Sequence, residues 1–220
     1  MVKSASDIVS IVRNVTGRVD ASDPLFTNSI LIGRINDYLE LLMPQEVRLY
    51  ENKTWWEFNL AQGDDDPYPV SLETLRFSTI GPPAYIDGFV LNWYQSPSVF
   101  YSKWPETQTY TEQRPQDVLY YNNELTFRGP PDQTYSVKIQ AYKIEPALLG
   151  GADSSSDEQE NLENSYIWRY VAYGVALDIF SDFGEMDNFE KYYPAFQRYK
   201  ALVYARTNQQ LMSQRTYPTF

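Results

Sequence analysis

Residues 118–142 read VLYYNNELTFRGPPDQTYSVKIQAY. Residues 118–121 and 125–128 flank Asn122-Asn123, a pair that tolerates left-handed backbone, so the stretch predicts a hairpin. Beyond the break at Gly129-Pro130-Pro131-Asp132, the residues Tyr135, Val137, Ile139 and Ala141 alternate with Ser136, Lys138, Gln140 and Tyr142. A period of two places one face of a strand in a core. Antiparallel β structure therefore occupies the middle of the chain, and helices must be sought on either side.

Moving toward the N-terminus, residues 86–94, 70–80 and 54–60 have extended character. Asp87-Gly88 reads as a local turn. The clusters Gly81-Pro82-Pro83, Gly63-Asp64-Asp65-Asp66-Pro67 and Glu51-Asn52-Lys53 read as breaks or turns. Residues 95–117, rich in Pro, Ser and Thr, carry no legible pattern. Further back the period changes. Ile8, Ile11, Val12 and Val15 mark one helical face, with Ser4 and Asp7 spaced as a capping box and Gly17 as a stop. A second stripe, Leu31, Ile35, Tyr38, Leu39 and Leu42, is expected to end at Pro44.

Toward the C-terminus, residues 150–164 form an acidic connector containing Asp153, Asp157, Glu158, Glu160 and Glu163. It reads either as an interaction tail or as a solvated loop entering the negative first turn of a helix. Leu162, Tyr166, Tyr170, Tyr173, Leu177 and Phe180 predict one side of that helix, with Gly184 past its end. A last helix is expected from near Asp187, with Asp187 and Glu190 as a cap pair, and carries Phe189, Phe196, Tyr199 and Val203. Pro194 predicts a kink or a later start. Residues 207–220 contain no acid side chain but include Arg215. They read as a frayed end or as a segment that orders on a partner.

The expected architecture is α+β. Residues 1–45 and 150–206 supply a small antiparallel helical bundle, residues 46–149 form an inserted β-rich domain, and residues 207–220 an extended tail.

Composition limits the chemistry. The 220 residues include neither Cys nor His, which excludes disulfides, thiol catalysis, Cys-based metal sites and His-dependent triads. With 18 basic and 29 acidic residues the formal net charge is −11, a balance that disfavours tight binding to phosphate backbones or anionic lipids. No apolar run reaches the ~20 residues of a membrane span, and residues 1–4 lead into an amphipathic stretch, so a soluble protein made without secretion is expected. The 19 Tyr, 11 Phe and 5 Trp suit half-buried strand faces or a protein–protein interface.

Candidate sites are sparse. Gly150-Gly151 is followed by acids and not by a phosphate-loop Lys, and Asp64-Asp65-Asp66 lacks the ligand spacing of a calcium loop. Glu73 with Asp87, or Asp117 with Glu124, could serve as paired carboxylates only if folding set them ~5–10 Å apart. Trp55, Trp56, Trp93 and Trp104 could form a sugar-binding platform or pack in strands and interfaces. No catalytic residue, cofactor or metal is expected.

The order of features is more informative. Asp7-Ile8-Val9, Val12-Arg13 and Gly17 in a first helix are followed by Ile35-Asn36-Asp37-Tyr38 closed by Pro44, then Trp55-Trp56-Glu57-Phe58. The hairpin comes next, then Gly129-Pro130-Pro131-Asp132, the strand from Tyr135, Pro146-Ala147-Leu148-Leu149, Ala172-Tyr173-Gly174 and Phe183-Gly184-Glu185. In this order the chain resembles the head-to-tail adaptor (connector, head-completion) proteins of short-tailed bacteriophages. The resemblance implies a non-enzymatic virion subunit, assembled in the bacterial cytoplasm into a ring, twelvefold in the family. Such a ring joins the portal protein of the DNA-filled head to the tail or nozzle protein and retains and conducts the genome. The partners implied are the portal, the tail, further copies of the chain, and double-stranded DNA passing through the lumen without specific binding; no membrane is involved. The family's C-terminal extension reaches the portal, which by position implicates Leu211, Met212, Arg215, Tyr217, Pro218 and Phe220. A tail-tube or receptor-binding tail subunit, or a carbohydrate-active protein, are the alternative readings.

Overall fold

The computed structural model describes residues 3–20, 22–63, 66–106, 108–148 and 161–213. The fold is mixed α/β and divides into two compact units: residues 53–143 form one, and the chain on both sides, residues 1–52 and 144–220, forms the other.

In the helical unit, α1 (Ala5–Thr16) starts as its sequence predicts. The Asp7 carboxylate accepts the Ser4 backbone N–H at 3.1 Å, and Gly17 closes the helix with φ 72°. Helix α2 (Asn28–Asp37) is capped by Thr27, whose hydroxyl accepts from Ile30 N at 3.3 Å. The expected stop at Pro44 does not occur. The helix widens into a π turn over Tyr38–Leu42 and continues as α3 (Met43–Glu46), with Pro44 in its first turn. In the π turn the Met43 N–H reaches back five residues to the Tyr38 carbonyl, and Pro44, which has no N–H to give, follows in the first turn of α3. Leu42, expected in the buried stripe, is 40% exposed. Between α1 and α2 the Arg13 guanidinium, only 9% exposed, donates to the carbonyls of Arg18, Asp20 and Phe26 and to Asn28 Oδ1 at 2.6–3.1 Å. One side chain thus satisfies a loop that lacks secondary structure.

The other unit is a seven-stranded sheet ordered β1-β7-β3-β4-β5-β6-β2. Its strands are β1 (Lys53–Leu60), β2 (Tyr68–Pro69), β3 (Phe77–Ile86), β4 (Phe89–Tyr94), β5 (Asp117–Tyr121), β6 (Glu124–Arg128) and β7 (Tyr135–Lys143). Short helices α4 (Leu72–Leu75) and α5 (Pro97–Lys103) lie between strands. The β5–β6 hairpin pairs as its sequence predicts, and Asn122 and Asn123 turn with φ 52° and 58°. Asn122→Ala should therefore cost about 1 kcal/mol, because alanine lacks asparagine's tolerance of this conformation. Equal denaturant midpoints for the two proteins would contradict the assignment. Tyr135, Val137, Ile139 and Ala141 of β7 face the core, which gathers around Ile86, Leu91, Val118, Leu125 and Phe127. The sheet curls until its outer strands touch: Tyr68 of β2 stacks on Phe58 of β1 with ring centroids 4.4 Å apart.

Two expectations fail here. Residues 70–80 are interrupted by the α4 turn. Gly81-Pro82-Pro83 does not break β3; the register against β7 shifts between Gly81 and Ala84. The bulge takes up prolines that cannot donate to the ladder, before β4 begins pairing at Ala84. Within residues 95–117, where the sequence carries no legible pattern, one buried carboxylate makes the tie to the sheet. Asp117, 1% exposed, accepts from Lys103 Nζ at 2.7 Å, Trp104 Nε1 at 2.9 Å and Asn92 Nδ2 at 2.9 Å. That set ties the end of α5 to β5, which runs parallel to β4.

The chain re-enters the helical unit through a buried polar clasp. Glu145 accepts the Asn164 backbone N–H at 2.9 Å and Asn164 Nδ2 at 2.7 Å, and Nδ2 also donates to Asn52 Oδ1 at 2.7 Å. Glu163, the connector acid among the described residues, lies ahead of this clasp and not in a helix first turn. A 3₁₀ turn (Ser165–Ile167) comes first, and α6 (Trp168–Asp182) has no acid in its own first turn. Residues 149–160 of the connector lie outside the described residues.

Helix α6 is buried on more than the one expected side: Val171, Ala172, Gly174, Val175, Ala176 and Ile179 join Tyr170, Leu177 and Phe180 in the core with α1 and α2. Val47, Leu49 and Leu148, grouped by sequence with the β-rich segment, belong to this helical core. Helix α7 (Met186–Ser213) passes through Pro194. Pro194 and Glu190, whose carbonyl loses its partner, are both exposed, so the gap lies on the solvent side of the helix. Ahead of the helix, Glu185 receives Asn188 Nδ2 at 2.9 Å and Arg18 Nη2 at 2.5 Å, which hold its carboxyl below the usual range. The start is thus organised on Glu185 and not on an Asp187–Glu190 pair.

Candidate interaction surface

The helical pattern of α6 and α7 creates the most distinctive surface of the helical unit. Helix α7 buries only a narrow stripe, with Phe196, Val203 and Thr207 fully covered and Tyr192 and Tyr199 packed at its margin. Phe196 stacks on Tyr170 at 5.4 Å, and Tyr199 meets Tyr173 at 5.1 Å. Beside this seam opens a groove of about 380 Å³, lined by Tyr166, Trp168, Arg169, Tyr199, Leu202 and Arg206 among others.

Two cations give the groove its character. The Arg206 guanidinium lies 3.8 Å over the Tyr166 ring, with Nε 3.4 Å from a Glu51 carboxylate oxygen. The other Glu51 oxygen accepts the Tyr166 hydroxyl at 2.8 Å. Arg169 stands 5.1 Å from the Trp168 ring and 5.6 Å from the Tyr199 ring, and donates to the Tyr199 hydroxyl at 3.3 Å. Among the described residues no carboxylate pairs with Arg169. Leu202, 57% exposed, adds apolar surface at the rim. Guanidinium over aromatic rings, with apolar surface beside it, suits a protein partner that brings carboxylates.

Below the groove a phenol network faces inward. Tyr170 Oη donates to Glu46 Oε2 at 2.7 Å, Lys200 Nζ donates to the same oxygen at 2.9 Å, and the Tyr204 hydroxyl donates to the Glu46 carbonyl. Burial drives the Tyr38, Tyr166 and Tyr170 phenols far above their ordinary range. These hydroxyls therefore stay protonated near neutrality, Tyr166 and Tyr170 as donors to Glu51 and Glu46, and do not supply a phenolate base.

The sequence-named residues scatter. Leu211 and Met212 fall within α7, so residues 207–213 are helical where an extended tail was expected, and Thr207 is buried. Thr207 follows Val203 by one turn on the buried stripe of α7. Arg215, Tyr217, Pro218 and Phe220 lie outside the described residues. Asp117 pairs in register with Arg128 and Glu124 with Tyr121, at opposite ends of the hairpin, roughly 13 Å apart along the strand. Asp87 is occupied by the Ser136 N–H at 3.0 Å. The tryptophans form no common platform. Trp56 is buried, Trp55 points to the other face against Tyr85 at 5.6 Å, and Trp104 is bound to Asp117. Asp64 and Asp65 lie outside the described residues, among which no three metal-ligating side chains converge. No helix among them is long and apolar enough to cross a membrane.

The groove was not legible beforehand. Arg169 and Arg206 are 37 positions apart, and only the aromatic flanks Trp168 and Tyr170 hint at the first. Neither the protein-family models nor the curated proteins include a match to this chain.

Proposed function

We propose that this chain is a structural subunit of a short-tailed phage virion, an adaptor that joins the portal of the DNA-filled head to the tail as a ring of copies. The observation that carries the reading is the insertion. A helical unit assembled from both ends of the chain holds a contiguous β unit, residues 53–143, between Asn52 and Ile144. Such a subunit needs one body for its neighbours in the ring and another for a different partner.

Surface character supports the same reading. Leu41, Leu202 and Met186 in the helical unit, and Phe89, Val90, Val99 and Tyr121 in the β unit, are all more than half exposed. Apolar surface offered on both units fits a part that is covered on several sides in an assembly. The acidic charge of −11 suits a lumen along which a duplex slides without being held. A small helical bundle continued by a C-terminal extension toward the portal belongs to this proposal, as do the portal and tail partners, the virion location and the non-enzymatic role.

The test is electron microscopy of particles made when the gene is disabled in its phage. Tailless heads that have lost DNA are expected. Intact tailed particles would overturn the adaptor reading and favour a receptor-binding or glycan-cleaving tail role. Deleting residues 214–220, which spares all of α7, is expected to leave a folded protein that no longer binds the portal.

A further inference from the structure

We propose that the α6–α7 groove receives the acidic end of α6, Asp178 and Asp182, from a second copy of this chain, so that copies join head to tail. The proposal rests on the virion-subunit reading and names the surface between its copies.

Both halves of the contact are present on one helical unit. The groove carries two guanidinium groups stacked on aromatic rings, of which Arg169 pairs with no described carboxylate. Toward the other end of α6, Asp178 and Asp182 share a single cation. Arg34 Nη1 lies 2.6 Å from Asp182 and 3.7 Å from Asp178. The side chains of Asp178 and Asp182 are about half exposed, at 46% and 50%. Burial, then the charges of Asp182 and Asp37, raise the Asp178 carboxyl above its ordinary value, with Arg34 opposing. The cluster carries more negative charge than its own arginine neutralises, and the groove holds a cation without its own carboxylate.

Helical geometry sets the two patches on opposing flanks. Nine residues separate Arg169 from Asp178, about two and a half turns, which turns their side chains to opposite sides of α6 and roughly 13 Å apart along it. Patches so placed cannot meet within one molecule or in a two-fold dimer that uses each patch on itself. Each copy gives one patch and accepts another, the heterologous arrangement that closes into rings. In a chain of net charge −11, copies repel at long range, so an arginine groove facing a carboxylate cluster also fixes the register of approach.

The test uses the full chain in sedimentation velocity at high concentration and low salt, with thermal melts of each variant as a folding check. Wild type is expected to associate, and to dissociate as salt rises. Arg169→Ala with Arg206→Ala keeps only the acidic patch, and Asp178→Asn with Asp182→Asn keeps only the groove. Each variant alone should be monomeric, and their mixture should give a one-to-one dimer and nothing larger. Should the groove variant lose its fold, the exposed single change Arg169→Glu replaces it with the same expectation. Self-association of either variant at the wild-type level, a monomeric mixture, or a wild type monomeric throughout would each overturn the contact. Tailless null particles together with a monomeric wild type would remove this interface and keep the virion reading. Intact tailed null particles with head-to-tail oligomers would do the reverse.

Discussion

Gly174→Ala is expected to destabilise the helical unit by about 1–3 kcal/mol, although alanine is the better helix former by about 1 kcal/mol. A Cβ at position 174 would stand 2.5 Å from Tyr38 Cε2 and Oη, and closer still to Cζ. Tyr38 cannot withdraw. It is 5% exposed, sits in the π turn after α2, and meets Tyr170 edge-on at 5.8 Å. The glycine is therefore where α6 lets an aromatic ring lie against its backbone. In a Tyr38→Leu background the same Gly174→Ala change should become neutral or stabilising, because the ring that obstructs it is gone. Urea melts of the four proteins measure the coupling, and a penalty undiminished in the leucine background would place the clash elsewhere.

Asn164→Ala should cost about 2–4 kcal/mol near neutral pH, since it removes the side-chain donor that a buried carboxylate and Asn52 Oδ1 share. Only the side-chain donor is deleted outright; the backbone N–H survives but loses the side chain that aims it. The pH dependence follows from Glu145. Burial raises its carboxyl above the ordinary 4.5, and the Asn164 hydrogen bonds partly restrain that rise. A folded-state value above the unfolded one means that the native protein binds the extra proton, so this group's contribution to stability falls as pH climbs through that window. Losing Asn164 lifts the value further and steepens the fall. The penalty should thus be smaller at pH 4.5 than at pH 8, and a penalty larger at pH 4.5 would mean that Glu145 is not the group left uncompensated.

Local signals were readable in the sequence, and long-range ones were not. The Asn122-Asn123 turn, the alternation in β7 and the Ser4–Asp7 cap depend on residues a few positions apart, and each forms as read. Pro44, Pro82 and Pro83 misled because a proline's cost depends on its local backbone setting. Pro44 is carried in the first turn that follows a π turn, and Pro82-Pro83 at a register shift of β3. The one-sided stripe drawn for α6 failed because its small residues, Ala172, Gly174 and Ala176, are where other elements approach, and polarity alone does not reveal that. Neither cation of the groove stands out by itself. Arg169 and Arg206 acquire meaning only when α6 and α7 lie side by side.

The insertion also imposes a timetable on synthesis. Every strand of the sheet finds its partners within residues 53–143, so that unit can close as soon as this stretch has been made. Helices α1 and α2 have no such option, because Val171, Val175 and Ile179, against which Ile8, Val12 and Ile35 are buried, lie in α6. At translation rates on the order of 5–20 residues per second, the roughly 115 residues between Asn52 and α6 take about 6–23 s to make. For that interval the first fifty residues carry their apolar stripes without a home. The nascent chain is therefore sticky over residues 5–49, and chaperones that act on it should bind there until α6 emerges.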